Sequence, residues 1–174
     1  TPPAKGTAVI DAQGRLVYAP TEEAQLAEAS LVYDLYCGAG SISLLLAGAV
    51  ERVVGFELSR EAVADAEANA LRNKITNADF VAGDLVETIA GVTERPDVLV
   101  CDPPRSGMHE KVVERVIELG PSRIVHVSCN AHTAARDLAR LLHHGYDLVR
   151  ARPVDLFPHT PHVECVFTLE RSSS

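Results

Sequence analysis

Leu31-Val32-Tyr33-Asp34-Leu35-Tyr36-Cys37-Gly38-Ala39-Gly40 is a short apolar run that breaks on two closely spaced glycines. Its length and its β-branched and aromatic content are those of a buried strand. A helical pattern takes over at Ser41 and continues to Gly48. A glycine-rich turn between strand and helix lets a ligand approach the backbone closely, because glycine carries no Cβ. The full dinucleotide fingerprint asks for a third glycine near Ser43, and none is there. The turn alone therefore marks a ligand site without naming the ligand.

The same alternation of strand and helix continues outward. Arg52-Val53-Val54-Gly55-Phe56-Glu57 reads as a second strand that ends in an acid. Glu57 lies 17 residues beyond Gly40, where a carboxylate can accept both hydroxyls of a ribose; the plainer reading is a cap for the helix that follows. Ser59 to Asn73 has apolar residues at helical spacing. Ala78 to Ala82 is a third strand, followed by Gly83-Asp84, and Asp84 either meets an adenine amine or caps the helix Leu85 to Ala90. Further strands are expected at Asp97–Cys101, Arg123–Val127, Tyr146–Arg152 and Val163–Leu169, with helices at Met108–Leu119 and Thr133–His144. This order predicts an α/β fold with a doubly wound, mostly parallel seven-stranded sheet, Rossmann-like in type. About ten residues join the last two strands, too few for a crossover, so the final strand is expected to run antiparallel.

Residues 1–30 read as an N-terminal extension holding a short hairpin about Gln13-Gly14 and a helix opening at Pro20-Thr21; residues 31–171 read as the main domain. At 174 residues the chain supports one core. The longest apolar stretch, Ile42 to Val50, is too short to span a bilayer, and no secretory leader is seen, so a cytoplasmic monomer is expected. The four cysteines form no CxxC pair, which argues against a disulfide framework or a zinc site. His159 and His162 have no third ligand nearby, and no metal is expected. Lys and Arg number 16 against 24 Asp and Glu, for a net charge of −8. That balance is wrong for a chain gripping a phosphate backbone unaided.

In doubly wound sheets ligands bind beyond the carboxyl ends of the strands. The unusual residues of this sequence gather there. The fourth strand ends in Asp102-Pro103-Pro104-Arg105, a turn stiffened by two residues without an N–H. The fifth ends in Ser128-Cys129-Asn130, a thiol on a strand-to-helix turn rather than inside an apolar run. If the last strand is antiparallel, its first residues lie at this same edge, and Glu164 can face Cys129 across one cleft.

With these stretches in view the chain resembles the catalytic domain of the S-adenosylmethionine-dependent RNA uracil-5-methyltransferases, the tRNA and rRNA 5-methyluridine enzymes. The resemblance rests on Asp34-Leu35-Tyr36-Cys37-Gly38-Ala39-Gly40, on Asp102-Pro103-Pro104-Arg105, on Ser128-Cys129-Asn130 with Thr133-x-x-Arg136-Asp137-Leu138 behind it, and on Asp155-Leu156-Phe157-Pro158-His159-Thr160-x-His162-Val163-Glu164. It covers roughly Leu31 to Leu169. The first stretch is common to many methyltransferases, and the last three together are specific. An amino-group methyltransferase usually has an aromatic residue after its Pro-Pro turn, and Arg105 argues against that class.

The resemblance implies a class I methyltransferase fold and a set of roles. Cys129 is implied as the nucleophile that adds to uracil C6, and Glu164 as the base that removes the C5 proton. Asp102 is implied to contact the uracil and Arg105 to position it. Asp34, Tyr36, Cys37, Gly38, Gly40, Glu57, Asp84 and Asp102 are implied to hold S-adenosylmethionine, with S-adenosylhomocysteine as product. The chemistry accounts for these types. Uracil C5 is a poor nucleophile until a thiolate adds at C6, the helix start behind Cys129 favours negative charge, and a carboxylate must then accept the C5 proton. A paired base must leave its helix to reach such a cleft. The family's aromatic-Gln-x-Asn segment before the glycine turn is not found, and its usual proline after Ser-Cys-Asn is Ala131. No separate RNA-binding barrel is present, so the expected partner, tRNA or rRNA, is expected to need a further domain. The alternative reading is a truncated cofactor-binding domain, inactive without that domain.

Overall fold

The apolar runs become the strands of one twisted sheet. The computed structural model describes residues 8–10, 16–18, 31–155 and 163–172. Two short strands, β1 (Ala8–Ile10) and β2 (Leu16–Tyr18), pair antiparallel, as the hairpin reading expects. The helix expected at Pro20-Thr21, and His159 and His162, lie outside the described residues.

The main sheet contains β3 (Leu31–Leu35), β4 (Arg52–Glu57), β5 (Ala78–Ala82), β6 (Val98–Cys101), β7 (Arg123–Ser128), β8 (Tyr146–Val154) and β9 (Glu164–Arg171), in the spatial order β5-β4-β3-β6-β7-β9-β8. Pairings from β5 through β7 are parallel, and β9 runs antiparallel to both β7 and β8. The order reverses between β3 and β6, so the edges of these two strands open a crevice at their carboxyl ends. The expected α/β architecture, with its antiparallel final strand, is the one observed.

The pleat divides the core between the two faces of the sheet. Leu31, Tyr33, Leu35, Leu99 and Cys101 point one way and pack with Val112, Val116, Leu138 and Leu141. Val32, Val53, Val98 and Val100 point the other way and pack with Leu46 and Val50. Helices α1 (Ser41–Leu46), α2 (Arg60–Arg72), α3 (Leu85–Ala90), α4 (Glu110–Leu119) and α5 (Ala131–His143) cover these faces. On α4 the buried stripe is Val112, Val113, Val116 and Leu119. Val116 and Leu141 are fully buried, and each stabilises the fold by about 1.5–3 kcal/mol relative to exposure.

Several boundaries differ from the sequence reading, and three of them have a visible reason. Helix α4 starts at Glu110 rather than Met108, because His109 takes an extended backbone and its Nδ1 accepts from Lys111 N. Helix α5 starts earlier, at Ala131, because the Asn130 side chain accepts from His132 N. Strand β8 continues to Val154, because Pro153 and Val154 still pair with Cys165 and Glu164.

Candidate active site

The turn after β3 is built from left-handed backbone. Tyr36 (φ 65), Gly38 (φ 54) and Gly40 (φ 81) all adopt it. The amides of Tyr36 and Cys37 both donate to Phe56 O, which pins the turn to β4. Gly40 has no room for a side chain: a Cβ there would lie 3.0 Å from Ala66 and Phe80. A Cβ on Gly38 would meet nothing within 4 Å, so the turn presents bare backbone to open space. The Cys37 thiol is turned inward and buried, and burial pushes its pKa up to about 12. Only the backbone of Cys37 is available to a ligand above the turn.

Two carboxylates frame this turn. Glu57, at the end of β4, accepts from Gly38 N at 3.0 Å through one oxygen and from Ser59 N at 2.9 Å through the other. Asp34 is wholly buried beneath the turn; one oxygen accepts from Ser43 Oγ at 2.6 Å and the other has no hydrogen-bond partner among the described residues. Burial pushes the Asp34 pKa up to about 7, against the pull of the Ser43 hydrogen bonds. Leu58, directly behind Glu57, is 69% exposed. The sequence reading passed over it, although an apolar residue next to a strand-end acid in a polar surrounding is a signal for a flat ligand surface. Asp84 reaches the same edge at the end of β5, but its carboxylate caps α3 by accepting from Val86 N at 2.8 Å.

The second cluster lies across the crevice. Asp102 and Arg105 stand on the turn that follows β6, and Cys129 follows β7. The Ser128 hydroxyl accepts from Asn130 N and donates to Asn130 O, closing a tight turn around Cys129. Ser128 pairs with Cys165 in the antiparallel ladder, so Cys129 and Glu164 each lie one residue beyond that pair, at the same edge of the sheet. Burial pushes the Glu164 pKa up, Asp102 pushes it further, and Arg105 opposes both. Burial likewise raises Asp102, with His126 opposing. Glu164, Asp102 and Arg105 thus feel one another's charge, and Cys129 is partly open to solvent beside them.

The Arg136 guanidinium, half-exposed on α5, donates to Ser106 O and Met108 O, both at 3.1 Å, and to the Asp137 carboxylate. Asp137 falls on the buried stripe of α5 with Ala134, Leu138 and Leu141, and a carboxylate on an apolar stripe is the signal that was available. Arg140 pairs with Glu110 at 2.6 Å and ties α5 to α4. A groove of about 520 Å³ runs behind the loop, lined by Tyr36, Pro104, Met108 and Arg140 among others; neither Cys129 nor Glu164 lines it. Among the described residues, no group of three or more His, Cys, Asp and Glu side chains is arranged to hold a metal ion, and no helix is long and apolar enough to cross a membrane.

Comparison with known proteins agrees with this geometry. The model of the tRNA (uracil-5-)-methyltransferase family matches residues 16–172. A Porphyromonas gingivalis protein described as an uncharacterized RNA methyltransferase is 48% identical over 157 residues, covering 87% of this chain and 34% of that protein. A similarly described Bacillus cereus protein is 44% identical over 165 residues, covering 91% of this chain and 35% of that one. The crystal structure of Pyrococcus abyssi tRNA (uracil-54, C5)-methyltransferase, in complex with S-adenosyl-L-homocysteine, superposes with a TM-score of 0.73 at 34% identity, covering 83% of this chain and 35% of that one. A Streptococcus thermophilus rRNA methylase at 14% identity and a TM-score of 0.71 shares the fold. The chain spans about a third of the length of the curated relatives it matches. It belongs to the tRNA (uracil-5-)-methyltransferase family.

Proposed function

We propose that residues 31–171 form the catalytic domain of an S-adenosylmethionine-dependent RNA methyltransferase that modifies C5 of a uridine, with residues 1–30 as an extension outside it. The observation that carries this reading is the antiparallel β7–β9 pairing, which brings the neighbourhoods of Cys129 and Glu164 to one edge. The tRNA target and the bound S-adenosyl-L-homocysteine of the Pyrococcus abyssi enzyme support the substrate and cofactor classes.

The residues around the glycine turn fit such a cofactor. Gly38 offers open space above bare backbone, Glu57 can exchange its two amide partners for ribose hydroxyls, and exposed Leu58 offers an adenine a flat apolar surface. The partnerless Asp34 oxygen lies beneath, an acceptor for the ammonium end. Tyr36, Cys37 and Gly40 shape the backbone, while Asp84 borders the adenine end. When bound, the cofactor supplies an electrophilic methyl group on a positively charged sulfur.

The chain's own residues then do the rest. Arg105 and Asp102 hold the pyrimidine. The Cys129 thiolate adds to C6, forming an S–C6 bond as the C5–C6 π electrons move into an enolate. That enolate makes C5 nucleophilic enough to take the methyl group. Glu164 accepts the C5 proton; the released electron pair restores the C5–C6 double bond and breaks the S–C6 bond, returning the thiolate. The raised pKa of Glu164 makes it a stronger proton acceptor than an ordinary carboxylate. With a net charge of −8, the chain engages RNA through the longer protein of which its relatives are examples. The test is transfer of labelled methyl from S-adenosylmethionine to uridine-containing RNA. Label at uracil C5, lost in Cys129→Ala, supports the reading; label on another atom, or label that persists in Cys129→Ala, overturns it.

A further inference from the structure

The loop from Asp102 to Met108 has little hydrogen bonding of its own. Pro103 and Pro104 lack an N–H, and within the loop Gly107 N donates to Pro104 O at 2.8 Å. Asp102 N donates to Leu35 O at 3.3 Å, and the carbonyls of Arg105, Ser106 and Met108 are taken by side chains of α5 and its N-cap, 25 to 30 residues away. The Asn130 amide and the Thr133 hydroxyl both donate to Arg105 O, at 3.0 and 3.2 Å. Arg136 donates to Ser106 O and Met108 O. Asp137, 1% exposed, accepts from Met108 N at 2.8 Å and from Arg136 at 2.7 and 2.9 Å. The fit leaves no slack: a Cβ on Gly107 would come within 2.4 Å of Arg136 and 2.7 Å of Asp137. His126 Nε2, wholly buried on β7, lies 3.8 Å from the same Asp137 carboxylate.

Two features make this more than packing. Helix α5 begins at Ala131 with Asn130, the residue after Cys129, as its N-cap, so the helix that follows directly on the thiol's turn grips the substrate loop along its first two turns. The captured backbone belongs to the residues that follow Asp102 and that include Arg105, the groups proposed to meet the pyrimidine. Their distance from Cys129 is therefore set by α5. A guanidinium serves here because its planar fork can satisfy two carbonyls and a carboxylate at once, which an ammonium cannot do in one geometry.

We propose that Arg136, seated on buried Asp137, is a positioning residue of the methyl-transfer reaction. It fixes Arg105 and Asp102 at the reach of the pyrimidine whose C6 faces Cys129. The proposal rests on the methyltransferase reading above. It acts through geometry, so its signature is a loss of rate with substrate and cofactor already bound. A misplacement of about 1 Å at a reacting centre costs on the order of a hundredfold in rate.

The test is carried out on the full protein with uridine RNA and with 5-fluorouridine RNA, comparing wild type, Arg136→Lys and Arg136→Ala. Arg136 is 55% exposed, so its removal leaves the core packing in place, and thermal melting checks the fold of each variant. Arg136→Ala is expected to slow adduct formation tenfold to a hundredfold at saturating RNA, with KM for RNA and Kd for S-adenosylmethionine changed less than threefold. Arg136→Lys is expected to recover part of that loss, and guanidinium chloride, but not potassium chloride, to speed Arg136→Ala. A wild-type adduct rate retained in Arg136→Ala overturns the proposal and leaves the function standing. So does a loss confined to KM, to cofactor affinity, or to thermal stability without guanidinium rescue. Absence of any adduct in the wild type overturns the function and the proposal together.

Discussion

Ser128 of β7 stands across from Cys165 of β9 in an antiparallel ladder. A β9 parallel to β7 would have placed its first residue at the edge where β7 starts. Because β9 alone reverses, its first residue, Glu164, returns to the edge where β7 ends. A carboxylate 35 residues beyond the thiol in sequence thus comes to the same edge of the sheet.

Glu164→Gln keeps the shape of the side chain and removes the proton acceptor. We expect the covalent enzyme–RNA adduct to accumulate, with turnover down about a hundredfold, within the usual range for loss of a general base. Gel-shift analysis under denaturing conditions reads it. Because the Glu164 pKa is raised, its ionised form is lost at a higher pH than an ordinary glutamate's, and wild-type turnover should fall on that acid limb. Unchanged turnover in Glu164→Gln removes this residue from the mechanism.

Glu57 engages Gly38 N and Ser59 N in the structure and is proposed to accept ribose hydroxyls. Glu57→Ala should weaken S-adenosylmethionine binding at least tenfold, equivalent to about 1.4 kcal/mol. Calorimetry on the chain itself decides this, and an unaltered Kd contradicts the assignment.

Asp34 gives the fold a pH dependence. Its pKa is pushed up to about 7 in the native protein by burial, against an ordinary value of 3.8. Between these values the native state holds a proton that the unfolded chain has released. Stability therefore falls as pH rises from about 4 to about 7 and levels off above, by at most about 4 kcal/mol from this group. Asp34→Asn should flatten that slope in urea unfolding. Equal slopes for wild type and variant contradict the account.

Gly107, with φ at +79, sits against Arg136 and Asp137. Gly107→Ala should destabilise by about 1–2 kcal/mol from the left-handed backbone alone, and further from the displaced Arg136. A melting temperature equal to wild type would show that the loop moves freely against α5.

The sheet was legible because its signals are local. Val32, Val53, Val98 and Val100 alternate with residues of the opposite face, and β4, β5, β6 and β8 are closed by a glycine or an acid. The reversal of β9 followed from the short connection behind β8. The grip of α5 on the Asp102–Met108 loop was not legible. It consists of side chains bonding to backbone carbonyls 28 and 30 residues away, and no periodicity records such contacts. That grip also explains the late start of α4, since Met108 N is committed to Asp137 instead of a helix. Asp84 illustrates the reverse: its spacing admitted two readings, and its carboxylate visibly performs the capping one.

The proposed reaction turns on one bond between Cys129 Sγ and uracil C6, and 5-fluorouridine would make that bond persistent, because fluorine at C5 cannot be removed as a proton. Intact-mass measurement of the full protein with S-adenosylmethionine and 5-fluorouridine RNA reads the adduct directly. A species whose mass equals protein, RNA and one methyl group, mapped by peptide sequencing to Cys129 and missing in Cys129→Ser, is the predicted result. An adduct on another residue, one that survives Cys129→Ser, or methylated RNA that never passes through an adduct would contradict it.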